Sequence, residues 1–353
     1  MDKKPASSLN PYLWGGITFT LGLLFSLLIV QNIRTENHAA IAALAKTEAT
    51  TLANDIAQRL ELYQYGLRSA RAQILTKGEG VVTNKDFRNY MESREIDIEF
   101  PGARGMGFIR RVPLAQEAEF VAHARATGQA DFAIKQLTPH NKERYVIEYI
   151  EPLARNIQAV GLDIGSETAR RAAADAAMRT GEVRLTAPIT LVQATGKSQQ
   201  SFLILMPIYR TWVTPSTEKE RINAAFGWSY APLIMEEVLA KLAINRNHFH
   251  ITLTDVTDAN HAIPFYSSDE NTIANSAKLF PQHTTRTVYG RQWQLDLQVT
   301  PQFIKEQHLP KPNNVLLWGL IFSALVSMLV AALCVYIINR QQMINQQARL
   351  AAI

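Results

Sequence analysis

Cysteine is almost absent from this chain. Its 353 residues contain a single cysteine, Cys334, which lies in an apolar run. One thiol excludes an intramolecular disulfide and a cysteine-based metal site. Because its neighbours in sequence are apolar, we interpret Cys334 as a packing residue.

Familiar catalytic motifs are missing as well. The sequence contains no G-x-S-x-G, H-E-x-x-H, P-loop or protein-kinase catalytic set, so it gives no indication of hydrolase or transferase chemistry. The glycines of GARGMG, residues 102–107, do not follow the order G-x-G-x-x-G and indicate a tight turn. His248 and His250 share one face of a predicted strand, but no carboxylate stands at ligand spacing, which favours ordinary surface histidines. We therefore predict no catalytic residue, no metal and no cofactor.

A concentrated patch of positive charge is the third missing feature. The chain has 36 Lys and Arg residues against 31 Asp and Glu residues, a formal net charge of +5. These residues are interleaved along the sequence rather than gathered into a stripe, so nucleic acid is not an expected partner.

Two long uncharged runs are present instead, at 11–32 and 315–338. A helix needs about 20 apolar residues to cross a hydrocarbon core of about 30 Å, so both runs are predicted membrane spans and the lipid bilayer is a predicted partner. A signal peptide is the alternative for the first run, but signal sequences are shorter and end at a small-residue cleavage site. Aromatic residues that suit the headgroup layer lie towards the ends of the runs: Tyr12, Trp14, Trp318 and Tyr336.

Two crossings place both termini on one side of the membrane and residues 33–314 on the other. Lysine and arginine residues near both ends of the chain favour cytoplasmic termini, whereas Arg34, Lys305 and Lys311 oppose this orientation. We predict a bacterial inner-membrane protein with two spans, cytoplasmic termini and a periplasmic middle region.

A long stalk helix is predicted after the first span, within residues 33–84. Between Asn37 and Lys77 the sequence has no proline and is rich in good helix formers. Apolar residues recur there at steps of three or four, which aligns them on one face. They are Leu52, Ile56, Leu60, Tyr63, Leu67, Ala70 and Ile74. This seam is expected either to pack on the rest of the chain or to form a parallel homodimer.

Residues 85–212 and 221–302 are predicted to form two mixed α/β units, a larger membrane-distal one and a membrane-proximal one. The fold class is therefore α+β. In the first unit we predict strands at 107–113, 145–149 and 201–209 and helices at 115–128 and 167–180. A surface connection at 211–221 is followed by a strand at 225–230, a helix at 231–242 and strands at 250–256, 264–266 and 292–299.

The segment from residue 145 to residue 209, with GARGMGFIRRV before it, resembles the CHASE domain family. The motifs that carry the resemblance are Asn156, Gly-Leu-Asp at 161–163, Thr-Gly at 180–181, Leu-Thr-Ala-Pro at 185–188 and Met-Pro-Ile-Tyr at 206–209. Family members are extracytoplasmic sensors of bacterial kinases and nucleotide cyclases and of plant cytokinin receptors. The resemblance implies a stalk helix, two PAS-like units and a small-molecule ligand in the distal unit.

The same resemblance implies candidate ligand-binding residues. Asp163 matches the carboxylate that accepts hydrogen bonds from the adenine edge in cytokinin-binding relatives, and the backbone of Leu185 matches a second contact. The alternative for Asp163 is that it caps the helix beginning near Ser166 or Glu167. Further candidate lining residues are Tyr149, Thr186, Gln193 and Phe202. No residue clearly matches a further polar contact of the cytokinin receptors, so an adenine-like ligand is one candidate among small molecules.

After residue 338 the chain resembles the start of a signalling helix, and a cytoplasmic output domain or partner is expected. The predicted function is the input part of a sensor histidine kinase or diguanylate cyclase type receptor. In this hypothesis, ligand closes the distal pocket, shifts the proximal unit against the stalk and moves one span relative to the other. A membrane-tethered extracytoplasmic enzyme and a scaffold that assembles through the stalk are the alternatives.

Overall fold

The computed structural model describes residues 10–192, 200–240, 242, 244–268 and 279–350. The helices are α1 (Pro11–Lys77), α2 (Asn84–Glu92), α3 (Ile96–Glu99), α4 (Glu117–Ala126), α5 (Thr168–Thr180), α6 (Glu218–Ala224), α7 (Met235–Ala240), α8 (Pro301–Glu306) and α9 (Pro312–Leu350). The strands are β1 (Met106–Val112), β2 (Lys135–Gln136), β3 (Arg144–Glu151), β4 (Leu162–Asp163), β5 (Arg184–Leu185), β6 (Ser201–Tyr209), β7 (Ala225–Ile234), β8 (Phe249–Asp255), β9 (Ile263–Ser267), β10 (Gln282–Val288) and β11 (Arg291–Val299).

The first predicted span and the predicted stalk form one uninterrupted helix, α1, of 67 residues. Asn10 begins it, because its side-chain oxygen accepts hydrogen bonds from the backbone N–H groups of Tyr12 and Leu13. Pro11 fits the first turn, where its missing N–H is no loss. The helix ends at Lys77, seven residues before the predicted end of the stalk, because Gly78 adopts a left-handed conformation with φ of 97°.

The chain divides into two compact units. The first, called here the helix pair, comprises residues 1–44 and 304–353 and contains the beginning of α1 and all of α9. Both helices are long and apolar enough to cross a membrane. The second, called the α/β unit, comprises residues 45–303.

Small residues bring the two helices of the helix pair together. The Ser327 hydroxyl donates a hydrogen bond of 2.8 Å to the Gly15 carbonyl across the pair. A Cβ atom at Gly22 would lie 2.5 Å from Ser323 Oγ, so only glycine permits this approach. Large apolar side chains such as Phe25 point outward, where lipid tails suit them.

Within the described residues of the α/β unit, the strands form two sheets. The large sheet has the order β2-β4-β3-β1-β7-β6-β5, and the small sheet has the order β10-β11-β8-β9. The sequence placed the strand at 225–230 in the second unit, which is wrong. Strand β7 runs to Ile234 and pairs with both β6 and β1, so the division between the sheets falls after Ile234 rather than at residues 212–221. The α+β fold with a long leading helix and two sheets is as predicted.

The large sheet is covered on both faces. On one face, Ser229 of β7 donates a hydrogen bond to the Leu67 carbonyl of α1. On the other face, alanine residues and Met178 of α5 pack against Trp228 and its neighbours. Strand β6 is buried along its whole length, which explains its continuous apolar sequence.

The predicted stalk seam is buried within the chain. Ile56, Leu60, Tyr63, Leu67, Ala70 and Ile74 are each at most 3% exposed, and Leu52 is partly buried. Of the two alternatives for the seam, intramolecular packing is therefore correct. Apart from the partly buried Leu52, these side chains are covered by the chain itself and leave almost no surface for a homodimer contact.

Three further elements differ from the sequence prediction. The helix expected at 231–242 is confined to Met235–Ala240, because β7 continues through its first residues. The connection at 211–221 includes the start of α6, which Thr217 begins with a capping box to Glu220. Strand β10 was not predicted, because its sequence, QHTTRTV, is polar and largely exposed.

The small sheet contacts the large one through a hairpin and an aromatic cluster. The turn between β10 and β11 consists of Tyr289 and Gly290, both with positive φ, as a two-residue hairpin turn requires. Phe202 of β6 contacts Phe265 and Trp293 of the small sheet, with ring centroids 4.9 and 5.1 Å apart.

Candidate functional site

Asp163 lies at the end of β4 and is completely buried. Its Oδ1 atom accepts hydrogen bonds of 2.9 Å from the backbone N–H groups of Tyr145 and Gly165. Its Oδ2 atom lies 2.8 Å from His140 Nε2 and 3.4 Å from the side-chain nitrogen of Gln136. A buried carboxylate is costly unless it is hydrogen-bonded, and these contacts stabilise it. Asp163 thus caps the short turn Ile164–Ser166 and ties that turn to β3. It does not cap α5, as the alternative prediction had it, because Glu167 is the N-cap of that helix.

Leu185 and Thr186 lie where β5 pairs with β6. The Leu185 N–H, the predicted ligand contact, donates a hydrogen bond of 3.0 Å to the carbonyl of Tyr289 in the small sheet. Thr186 is fully buried, and its hydroxyl oxygen accepts a hydrogen bond of 3.1 Å from the Leu203 N–H. These two residues therefore link the large sheet internally and to the hairpin of the small sheet.

The remaining predicted residues are not gathered around Asp163. The Tyr149 hydroxyl donates a hydrogen bond of 2.8 Å to the Val82 carbonyl, and the Tyr149 ring stacks on Phe87 of α2. Phe202 faces the small sheet through the aromatic cluster described above. Gln193 lies outside the described residues. The described members of the predicted set thus lie on β3, at the end of β4, at β5 and on β6, and the structure does not bring them together.

A pair of buried polar residues that sequence reasoning missed lies between α5 and the large sheet. Arg170 begins the face of α5 that packs on the sheet, where it is in phase with Ala173, Ala174, Ala177 and Met178. Tyr230 of β7 belongs to the apolar cluster beneath this face and is 1% exposed. The Arg170 Nε and Nη1 atoms and the Tyr230 hydroxyl are buried and have no hydrogen-bond partner among the residues that the structure describes. The signal in the sequence was an arginine in register with four apolar helix positions.

The electrostatics of this pair follow from burial. Burial lowers the pKa of the Arg170 guanidinium, and the charges of Glu167 and Tyr230 oppose that shift. Burial likewise raises the pKa of the Tyr230 hydroxyl well above its ordinary value, with Arg170 acting in the opposite direction. Each group therefore contributes to the electrostatic environment of the other.

A polar groove of about 570 Å³ lies beside β1, α4 and the start of β7. Its three arginine residues are paired with carboxylates. Arg111 Nε lies 2.8 Å from Glu143, and Arg210 Nε lies 2.6 Å from Glu79. Arg110 is paired with Glu148. The guanidinium groups of this groove are therefore already compensated by the protein.

Metal ligands do not cluster among the residues that the structure describes: no group of three or more His, Cys, Asp or Glu side chains could hold an ion there. His248 contacts the aromatic rings of Phe249 and Phe303.

Comparison with known proteins gives one family. The model of the CHASE domain family matches residues 80–266 of this chain. No curated protein matches the chain. Among solved structures, the chain is similar to the periplasmic sensory domain of the Campylobacter jejuni chemoreceptor Tlp1, with a TM-score of 0.42 and 11% identity over 79% of this chain and 100% of that one. The family match includes Asp163, Arg170 and Tyr230.

Proposed function

This chain belongs to the CHASE domain family and is a sensor module, and we propose that it is the input part of a bacterial receptor of the sensor histidine kinase or diguanylate cyclase type. It binds a small molecule in the large-sheet region of the α/β unit, outside the cytoplasm, and relays binding across the inner membrane. The observation that carries the proposal is the match over residues 80–266, in a chain with one apolar helix before this region and another after it.

The site of binding is proposed between α5 and the large sheet. The support is the pair of buried polar groups on Arg170 and Tyr230, which no atom in the described part of the chain satisfies. Buried polar groups without partners are rare, and binding sites are among the places where they occur. Asp163 supports this site from its edge, because it fixes the turn that leads into α5.

The relay is proposed to pass through the hairpin of the small sheet. Tyr289 accepts the hydrogen bond of the Leu185 N–H through its carbonyl, and its hydroxyl donates a bond of 3.3 Å to the Leu60 carbonyl of α1. A movement of β5 would therefore act on α1 through Tyr289. Ligand changes this equilibrium only by binding the two conformations with different affinity.

Ligand binding is tested on the full chain in lipid nanodiscs by thermal denaturation. The probes are adenine and its derivatives, amino acids and small organic acids, each titrated separately. We expect at least one class to raise the midpoint of unfolding in a saturable way, because a ligand that binds only the folded state stabilises it. If every class leaves the midpoint unchanged, the proposed binding function is contradicted.

The direction of insertion is tested in spheroplasts. We propose cytoplasmic termini and a periplasmic α/β unit, so protease added outside is expected to cleave the exposed segment around Trp212 and Val213 in intact spheroplasts. A tag placed at the C-terminus is expected to be cleaved only after lysis. Protection of the segment around Trp212 until lysis would contradict the proposal.

A further inference from the structure

We propose that Arg170 and Tyr230 bind the carboxylate group of a small organic acid. The inference rests on the proposed sensor function and names the class of ligand. It comes from the hydrogen-bond groups that these two residues hold, buried and unused, beneath α5.

The guanidinium of Arg170 is largely unsatisfied. It carries five N–H groups, and among the described contacts one hydrogen bond is made, 2.8 Å from Nη2 to the Thr190 carbonyl. The Nε and Nη1 atoms have no hydrogen-bond partner, although Arg170 is only 3% exposed. A buried guanidinium with so few hydrogen bonds is costly, because burial removes its hydrogen bonds to water and the protein replaces only one of them.

The carboxylate of Glu167 lies near Arg170 but does not satisfy its free N–H groups. Glu167 Oε2 lies 3.9 Å from Arg170 Nε, beyond hydrogen-bond distance. The oxygens of Glu167 instead accept hydrogen bonds of 2.9 and 3.0 Å from the backbone N–H groups of Ala169 and Arg170 at the start of α5. Glu167 therefore caps the helix, and it compensates the charge of Arg170 only in part.

Tyr230 supplies the second donor. Buried tyrosine hydroxyls normally find a partner, but that of Tyr230 has none. The ring lies in an apolar cluster with Ile189, Leu191 and Leu203. A donor in the electrostatic neighbourhood of Arg170 and in apolar surroundings suits a ligand with a charged oxygen and an apolar body.

The neighbouring arginine shows that this region can satisfy a guanidinium from the protein alone. Arg171 donates 2.6 Å from Nε to the Gly165 carbonyl and 2.9 Å from Nη2 to the Glu143 carbonyl. Its guanidinium also lies over the ring of Tyr145. Arg171 thus has a structural role, and the difference between the two residues marks Arg170 as the one with groups left to donate.

A carboxylate fits these donors better than other oxygen ligands. It has two acceptor oxygens and a single negative charge, which matches one guanidinium and one hydroxyl. A phosphate dianion would need more positive charge than this layer supplies, since burying an uncompensated charge is costly. A neutral amide would give up the charge-assisted part of the interaction.

The test uses the full chain in nanodiscs at pH 7 and constant ionic strength. The probes are sodium acetate, propionate and succinate, the neutral analogue propionamide, inorganic phosphate and adenine. We expect at least one carboxylate to raise the unfolding midpoint saturably, and propionamide to bind at least about ten-fold more weakly than propionate.

Two variants and a matched control assign the effect to the pair. We expect Tyr230→Phe to weaken carboxylate binding about ten-fold and Arg170→Met about one hundred-fold, because each removes a buried donor to a charged group. Tyr209→Phe is the control, since it removes a buried hydroxyl that is already bonded to the Met178 carbonyl. It is expected to leave carboxylate affinity unchanged.

Stability without ligand separates a binding role from a structural one. Arg170→Met is expected to keep or raise the midpoint of unfolding in the absence of probes, because it removes a poorly compensated buried charge. A fall of the midpoint in this variant would show that Arg170 serves the fold, and would overturn the inference.

The inference is wrong if no carboxylate binds, or if both variants bind carboxylate like the unmodified chain. It is also wrong if propionamide binds as tightly as propionate, or if phosphate binds more tightly than every carboxylate. If adenine stabilises the unmodified chain and both variants equally, the carboxylate inference fails while the sensor function stands. If none of the wider probe classes stabilises the chain, both fail.

Discussion

Asp163 has a structural role in the folded chain. Its two oxygens hold the N–H groups of Tyr145 and Gly165 and the ring of His140, so the carboxylate joins β3, the turn after β4 and the segment before β3. A substitution there changes the fold as well as any ligand contact. An affinity measured on an Asp163 variant must therefore be read together with its stability.

Replacing Asp163 with alanine is expected to destabilise the chain without any ligand. Two buried N–H groups would lose their acceptor, at a cost of about 2–6 kcal/mol in the free energy of unfolding. Asp163→Asn keeps an oxygen for these groups and is expected to cost clearly less. Chemical denaturation monitored by tryptophan fluorescence measures both.

Asp258 provides the control for this prediction. Its Oδ1 atom accepts a hydrogen bond of 2.9 Å from the Asn260 N–H in a similar local arrangement, but its side chain is 60% exposed. Asp258→Ala is expected to change the free energy of unfolding by less than about 0.5 kcal/mol. Equal effects at the two positions would contradict the importance of burial at Asp163.

The sequence pointed to some of the residues around the candidate site and missed others. Sequence reasoning selected Asp163 from the Gly-Leu-Asp motif, but assigned its alternative capping role to α5, whereas Asp163 caps the turn before that helix. It passed over Arg170, because an arginine on a helix is normally exposed and only the covering sheet shows that this one is buried. It grouped Tyr149 with Asp163, although Tyr149 on β3 contacts Val82 and Phe87 whereas Asp163 on β4 binds other groups.

At the scale of elements, the helix pair depends on small residues at its contact. Gly15, Gly22 and Gly319 each lie against a serine or alanine of the other helix. In a bilayer, apolar side chains contact lipid tails as favourably as they contact one another, so the hydrophobic effect does not drive two helices together. The close approach of the two backbones supplies the stabilisation instead.

A large residue at Gly22 is expected to separate the two helices. The clash with Ser323 costs about 1–3 kcal/mol, so Gly22→Leu should lower the population of the close pair about five-fold or more. The reporter is a disulfide between Gly15→Cys and Ala331→Cys in a Cys334→Ala background, because a Cβ atom at Gly15 would lie 3.5 Å from that of Ala331. Mass spectrometry of the digested chain measures the cross-link.

Gly16→Leu is the control for the helix pair, since no atom lies within 4 Å of a Cβ atom built at Gly16. The cross-link is expected to form there as in the parent chain. If Gly22→Leu cross-links equally well, the helices do not pack through this surface.

Elements were predictable where the sequence pattern was strong. The uninterrupted α1, the buried β6 and the helix α5 ending at Gly181 all carry clear periodic or capping signals. The assignment of β7 to a sheet was not predictable, because pairing between β7 and β1 joins residues far apart in sequence. Strand β10 lacked a signal, since its exposed polar residues contribute little to any core.

At the scale of the whole molecule, the α/β unit buries many tyrosines. Burial raises the pKa of each of the following side chains: Tyr63, Tyr145, Tyr149, Tyr209, Tyr230 and Tyr289. For Tyr209 and Tyr289 the pKa rises from 10.0 to about 12. The folded chain therefore keeps these protons at a pH where the unfolded chain loses them.

Alkaline pH is consequently expected to unfold the chain. The stabilisation from the neutral phenols is fully present below about pH 10 and is lost as the pH rises through the folded-state values. The free energy of unfolding should fall steadily between pH 10 and pH 12, and Tyr209→Phe should reduce that slope by at most about 1.4 kcal/mol per pH unit. Denaturation at several pH values measures the slope, and a flat profile to pH 12 would contradict the prediction.

The hydrogen bond between Ser229 and the Leu67 carbonyl joins residues 162 positions apart. A ribosome adds about 5–20 residues per second. The apolar side of α1 is therefore synthesised about ten to thirty seconds before β7, the strand that covers it. During that interval the newly synthesised chain exposes a long apolar surface. Its biogenesis should depend on a holding chaperone, and depletion of such a chaperone should reduce yield before it reduces activity.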